Sequence, residues 1–66
     1  MLEDYYNTLR ILINSYRLPG ETNQELVNRV MNDNSIMTIL VNSEPIISNG
    51  SVLKSLLSSP EFIISL

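Results

Sequence analysis

One spacing pattern of apolar residues occurs three times between residues 26 and 59. Each copy has two apolar residues, two variable residues, two more apolar residues and then two small polar residues. The copies are LVNRVMND at 26–33, IMTILVNS at 36–43 and VLKSLLSS at 52–59. Apolar residues at i, i+1, i+4 and i+5 fall on one side of a two-turn helix. Because such short helices are unstable alone, the pattern predicts helices that exist only by packing on one another.

Polar residues and prolines between the copies are typical of helix ends. Asn, Ser and Asp compete with helical hydrogen bonds and favour caps. In SSPEF, Ser59 suits the N-cap, Pro60 suits the first helical position and Glu61 suits the first turn. Thr22 and Glu25 have the spacing of a capping box, which predicts a helix that begins at Asn23.

The N-terminal residues have the pattern of a longer amphipathic helix, which Leu18-Pro19-Gly20 ends. Its apolar stripe has 3,4,3,4 spacing, widened by Tyr6 and Ile13. The residues of the stripe are Leu2, Tyr5, Leu9, Leu12 and Tyr16. Together the patterns predict an all-α fold, with helices near 2–18, 23–32, 35–42, 51–58 and 60–66.

A second fold class remains open at this stage. The stretch TILVNSEPIIS at 38–48 is rich in β-branched residues, and Asn42 to Glu44 could form its turn. This alternative is an α+β fold with a hairpin near 38–48.

Length and charge limit the classes of function. A chain of 66 residues forms one domain at most, so we interpret 1–66 as a single helical domain, complete or part of a longer protein. The net charge is −3, and four scattered cations do not form the basic stripe that nucleic-acid binding requires. No apolar run approaches the ~20 residues that cross a bilayer. We therefore expect a soluble, acidic, intracellular protein of the cytoplasm that binds no nucleic acid.

Catalytic chemistry is not recognisable in the sequence. Cys and His are absent, which removes the usual zinc and haem ligands and the usual base for a serine nucleophile. Lys54 lies near Ser51 and Ser55, but a cap and a solvated lysine explain these residues without a Ser-Lys dyad. We expect no enzyme activity and no cofactor.

The second half of the chain is rich in apolar residues and poor in charge. Residues 34–66 contain only three of the eleven charged side chains, namely Glu44, Lys54 and Glu61. A domain this small cannot bury all of its apolar residues in one core. We expect some of the following to remain exposed: Ile46, Ile47, Val52, Ile63, Ile64 and Leu66.

Phrases such as LLSSPEFI at 56–63 resemble the helical repeats of ubiquilins and of the stress-inducible Hop-type co-chaperones. The resemblance covers about residues 26–66. Pro45 is displaced by one position in the phrase NSEP, and NDNS at 32–35 has no proline. The resemblance implies a chaperone-like groove, built from helix faces, that takes apolar segments or a partner's amphipathic helix. The lining it implies is Val30, Ile36, Met37, Leu40, Leu53, Leu56 and Phe62.

Two functional hypotheses follow. The first is a non-catalytic protein-interaction module with an apolar groove, in which Met31 and Met37 are either adaptable contacts or ordinary core residues. The second is an obligate homodimer in which the N-terminal stripe of Leu2, Tyr5, Leu9, Leu12 and Tyr16 is the self-association surface.

Overall fold

Five α-helices form the part of the chain that the structure describes. The computed structural model describes residues 2–43 and 50–66, with side chains from residue 4 onward. The helices are α1 (Leu2–Asn14), α2 (Asn23–Met31), α3 (Asn34–Ser43), α4 (Gly50–Leu57) and α5 (Pro60–Ile64). The described residues contain no strand, so the predicted all-α class is confirmed. The hairpin alternative is wrong for 38–43, which are helical, and its remaining residues lie outside the described ranges.

Local sequence signals set the starts of two helices. Thr22 Oγ1 accepts a hydrogen bond from the Glu25 backbone N–H at 3.1 Å, and Glu25 Oε1 accepts one from the Thr22 N–H at 2.9 Å. The predicted capping box and the start of α2 at Asn23 are therefore confirmed. α5 begins at Pro60 with Ser59 at the N-cap position, as predicted, but the Ser59 side chain makes no capping hydrogen bond.

α1 ends earlier than the predicted residue 18. Beyond Asn14 the backbone forms tighter, 3-10-type turns, in which the N–H groups of Ser15, Tyr16 and Arg17 donate to carbonyls three residues back. The carbonyl of Tyr16 then accepts a hydrogen bond from Arg29. Gly20 has a φ of 78°, a left-handed conformation that glycine adopts without steric cost. The backbone therefore turns over residues 15–22 and enters α2.

α2 is the centre of the fold, since it packs against each of the other four helices. α3 also contacts α4, and α4 contacts α5. On α2, Leu26, Val27 and Val30 are fully buried. They meet Tyr5, Leu9 and Ile13 of α1, at i, i+4 and i+8, in one apolar cluster with residues of α3, α4 and α5. The Cα radius of gyration is 10.9 Å, close to the ~11 Å expected for a compact domain of this length.

The third copy of the apolar pattern packs differently from the first two. In the first two copies the first three apolar positions are buried and the fourth is half-buried. In α4 the first position, Val52, is 54% exposed, whereas Leu53 and Leu57 are fully buried. The buried face of α4 is therefore displaced by one residue, which corresponds to about 100° around the helix.

A polar cluster fixes the corner between α1 and α2. The Arg29 guanidinium donates to both Glu21 carboxylate oxygens, at 2.9 and 3.0 Å, and the backbone N–H of Leu18 donates to Oε1. The Glu21 side chain is only 9% exposed. Hydrogen bonds from Arg29 and then from Leu18 lower the pKa of Glu21 to about 2. The corner is thus held by a bidentate ion pair between the Arg29 guanidinium and the ionised Glu21 carboxylate.

Side chains from α1 and α2 hold the C-terminal residues in place. Asn23 Nδ2 donates to the carbonyl of Ile63 at 2.9 Å, and Asn14 Nδ2 donates to the carbonyl of Leu66 at 3.4 Å. The Arg10 guanidinium lies 5.5 Å from the centre of the Phe62 ring, and its Nε donates to Ser65 Oγ at 2.8 Å. The last carbonyls of a helix have no partners within it, so these contacts fix the position of a helix of only five residues.

Thr22→Ala should lower the free energy of unfolding by about 0.5–2 kcal/mol, because an N–H at the start of α2 loses its side-chain acceptor. A urea titration followed by circular dichroism measures this change. Thr38→Ala is the matched control, since Thr38 is exposed within α3 and its hydroxyl donates to the Asn34 carbonyl of the same helix rather than capping a helix start. We expect the control to stay within about 0.5 kcal/mol of the wild type. Equal midpoints for the wild type and Thr22→Ala would contradict the role of the cap.

Stability should also fall in acid through Glu21. The pKa of Glu21 is lowered from 4.5 to about 2 in the folded chain, so the unfolded chain takes up this proton more readily. The resulting stabilisation is complete above pH 4.5 and is lost as the pH falls from 4.5 toward 2. In Glu21→Gln, urea titrations at pH 7, 4.5 and 3 should show lower stability at pH 7 and a smaller loss in acid. A wild-type acid loss retained in full by Glu21→Gln would contradict this assignment.

Candidate functional site

The residues predicted to line a partner groove lie mainly in the core. Leu56 is half-buried, and the other six are buried. The buried residues are Val30, Ile36, Met37, Leu40, Leu53 and Phe62. They pack in one cluster, so a partner would reach them only if the helices separated. Their role in binding stays a prediction, and an accessible site must involve other residues.

The predicted self-association stripe is also used inside the fold. Tyr5 and Leu9 are buried in the core, whereas Leu12 and Tyr16 are half-buried against it. The side chain of Leu2 lies outside the described residues. Ile13, which the sequence suggested only as a widening of the stripe, is fully buried. A dimer through α1 stays a prediction, and in this fold its surface would consist of the outer edges of Leu12 and Tyr16.

Substitutions on α1 distinguish a role in the core from a role in a dimer interface. Leu9 is 0% exposed and Ile11, on the same helix, is 71% exposed. We expect Leu9→Glu to destabilise the chain by at least about 3 kcal/mol at every protein concentration, because it removes a buried Leu and leaves a charge without a partner. Ile11→Glu is the control and should remain folded. Circular dichroism with light scattering measures both. A folded Leu9→Glu monomer released from a wild-type dimer would show instead that Leu9 lies between two copies.

An accessible apolar depression lies between α2 and the C-terminal helices. It has a volume of about 390 Å³, and we call it the α2–α5 groove. Gln24, Asn28 and Met31 line it from α2, at the spacing of one helix face. Leu57, Ser58, Pro60, Ile63 and Ile64 line it from the end of α4 and from α5.

The deeper part of the α2–α5 groove is apolar and its edge is exposed. Leu57 is fully buried, and Met31 and Ile63 are half-buried. Ile64 is 80% exposed, the highest value among the exposed large apolar side chains of the described residues. On the opposite wall, Gln24 Nε2 donates to Asn28 Oδ1 at 2.9 Å. The groove thus combines an apolar interior, an exposed isoleucine and a wall of side-chain amides.

The position of α5 creates the groove. Phe62 is buried between the helices, and the Asn23 side chain binds the carbonyl of Ile63. Residues 62 and 64 differ by about 200° around a helix, so burial of Phe62 directs Ile64 away from the core. The same contacts that hold α5 in place therefore expose Ile64.

A second depression, of about 320 Å³, lies between α3 and α4. Met37 and Val41 supply apolar surface, and Lys54 supplies a charge. Its lining includes Asn42 and Gly50, on either side of residues 44–49. The α2–α5 groove is the stronger candidate, because none of its lining residues flanks that segment directly and because they include Ile64, the most exposed isoleucine of the described residues.

The predicted exposed residues divide into three groups. Exposure is confirmed for Val52 and Ile64, whereas Ile63 and Leu66 are half-buried. Ile46 and Ile47 lie outside the described residues.

Met31 is half-buried in the α2–α5 groove, and Met37 is buried in the core. The two methionines that the sequence treated alike thus lie in different environments.

The described residues contain neither a set of metal ligands nor a membrane-spanning helix. Within 2–43 and 50–66, no three acidic side chains lie together as a set of metal ligands. No helix in these ranges is long and apolar enough to cross a bilayer. Comparisons with protein-family models, with curated proteins and with solved structures found no match. The resemblance to co-chaperone repeats therefore stays a prediction from the sequence.

Sequence reasoning missed the amide wall and the end of α4 as parts of a site. Gln24 and Asn28 have helix-face spacing with Met31, but polar residues at this spacing are typical of any solvated face. Ile64 carried a signal as one of the six apolar residues predicted to exceed what a small core can bury.

Proposed function

We propose that the chain is a non-catalytic protein-interaction module, and that its α2–α5 groove takes an apolar segment of another protein. The observation that carries the proposal is Ile64, an isoleucine 80% exposed at the edge of a groove with half-buried apolar side chains. Fully burying such a side chain contributes about 1.5–3 kcal/mol. A partner that covered Ile64 would obtain this stabilisation without rearranging the core.

The dimensions and chemistry of the groove favour a short segment. Its volume of about 390 Å³ is at the low end of the ~300–1,000 Å³ range of ligand pockets, which suits the side chains of one or two helical turns. Met31 is unbranched and adapts to apolar groups of different shape. The amide wall offers hydrogen bonds at the edge. An amphipathic helix with its apolar face toward Ile63 and Ile64 fits these features.

The resemblance of residues 26–66 to co-chaperone repeats supports the same class of function. Those repeats take apolar segments between short helices, and the proposed site here is also formed by short helices. The proposed lining differs from the one that the resemblance implies, because six of those seven residues lie in the core.

A matched pair of isoleucine substitutions tests the proposal. Ile64→Gln removes apolar surface at the groove, and Ile11→Gln removes it at a similarly exposed position on α1. The probe is a synthetic amphipathic helical peptide with Leu at i, i+3, i+4 and i+7. We expect Ile64→Gln to weaken binding by roughly 5- to 30-fold, which corresponds to losing about 1–2 kcal/mol of apolar burial. Ile11→Gln should bind like the wild type.

Nuclear magnetic resonance titration locates the site independently. The side-chain amide signals of Gln24 and Asn28 and the methyl signal of Met31 should shift on binding, since these groups line the groove. Equal weakening by Ile64→Gln and Ile11→Gln would contradict the site. Dimerisation that Ile64→Gln abolishes would identify a second copy of the chain as the occupant.

A further inference from the structure

We infer that the segment bound in the α2–α5 groove carries Lys or Arg residues beside its apolar face. This inference rests on the proposed function and identifies the class of partner. Its basis is the distribution of charge around a groove whose lining contains no charged residue.

On each wall of the groove, an exposed glutamate comes directly after a lining residue in the sequence. On α2, Glu25 follows Gln24; on α5, Glu61 follows Pro60. Glu25 uses Oε1 in the capping box, and neither carboxylate belongs to an ion pair among the described residues. Adjacent residues of a helix lie within the ~8–10 Å over which charges interact at physiological salt. Each edge of the groove therefore has an exposed carboxylate within this range.

Among the described residues, the cations of the chain form no ion pair with these two carboxylates. Arg29 is paired with Glu21. Arg17 donates to Asn14 and Asn23, and Arg10 donates to Ser65 and Asn7. Lys54, the remaining cation, lines the depression between α3 and α4. With a net charge of −3, the chain attracts a basic segment to this groove and repels an acidic one.

The expected effect is moderate because both carboxylates are exposed. An exposed ion pair corresponds to about 1.4- to 5-fold in affinity. Two pairs, one at each edge, would therefore favour a segment with two lysines over its neutral analogue by about 2- to 25-fold. A segment with two glutamates should bind more weakly than the neutral one. The partner would thus be an amphipathic helix whose apolar stripe has basic residues on both sides.

Three synthetic helical peptides test the inference. They share one apolar face and differ only in the flanking residues, which are Lys, Gln or Glu. Fluorescence anisotropy at 50 mM and 500 mM NaCl measures their dissociation constants. We expect the affinity order Lys, Gln, Glu at low salt, with smaller differences at high salt because salt screens exposed charges.

Charge-removing variants test whether the carboxylates beside the groove cause this order of peptide affinities. In the double variant Glu25→Gln and Glu61→Gln, the three peptides should bind with nearly equal affinity. Glutamine at 25 preserves the capping box, which accepts Glu or Gln at this position. Asp4→Asn is the control, because it removes an exposed carboxylate of α1 that is not adjacent to a lining residue. This control should keep the wild-type order.

The outcomes separate the inference from the proposed function. Equal binding of the three peptides to the wild type, or an order that persists in the double variant, would overturn the inference. Even in that case, weaker peptide binding by Ile64→Gln than by the wild type would still support the groove as the site. Failure of all three peptides to bind the wild type would overturn both.

Discussion

The burial of Leu26, Val27 and Val30 is the interaction on which the rest of the structure depends. These side chains lie on α2, which is nine residues long and contacts each of the other helices. Helices of this length are unstable in water without tertiary contacts. Because every helix packs on α2, loss of its apolar face would remove a contact from all of them at once. The capping box stabilises the fold for the same reason, since it fixes where this central helix begins.

Polar contacts determine the geometry that the apolar core alone leaves open. Arg29 and Glu21 set the corner between α1 and α2, and Asn23 links the start of α2 to the carbonyl of Ile63. An apolar cluster tolerates different arrangements of similar volume, whereas a hydrogen bond requires a defined distance and direction. These contacts therefore place α5 beside α2 with Phe62 inside and Ile64 outside. The α2–α5 groove follows from that placement.

The candidate site lies at the edge of the core, where Leu57 is buried, Met31 and Ile63 are half-buried and Ile64 is exposed. Six of the seven residues that the repeat resemblance implied as a lining form the interior, which a small domain needs for its stability. The available apolar surface is at the edges of the helices, at Met31, Ile63 and Ile64. The proposed function thus depends on apolar side chains beyond those that the core can enclose.

The sequence by itself determined the features that arise within a few residues of one another. The capping box of Thr22 and Glu25 and the start of α5 at Pro60 follow from spacing and caps, which act within one or two turns. The apolar pattern favoured a helix over 35–42 but left a hairpin near 38–48 open, and the structure shows a helix over 38–43. The tertiary structure alone decided how each helix is rotated about its axis. The third copy of the apolar pattern exposes Val52, although the first two copies bury the equivalent residues, Leu26 and Ile36. It also decided that Gln24 and Ile64, forty residues apart in the chain, share one groove. A periodic pattern specifies which residues of one helix share a face, but the neighbours that cover this face come from distant parts of the chain.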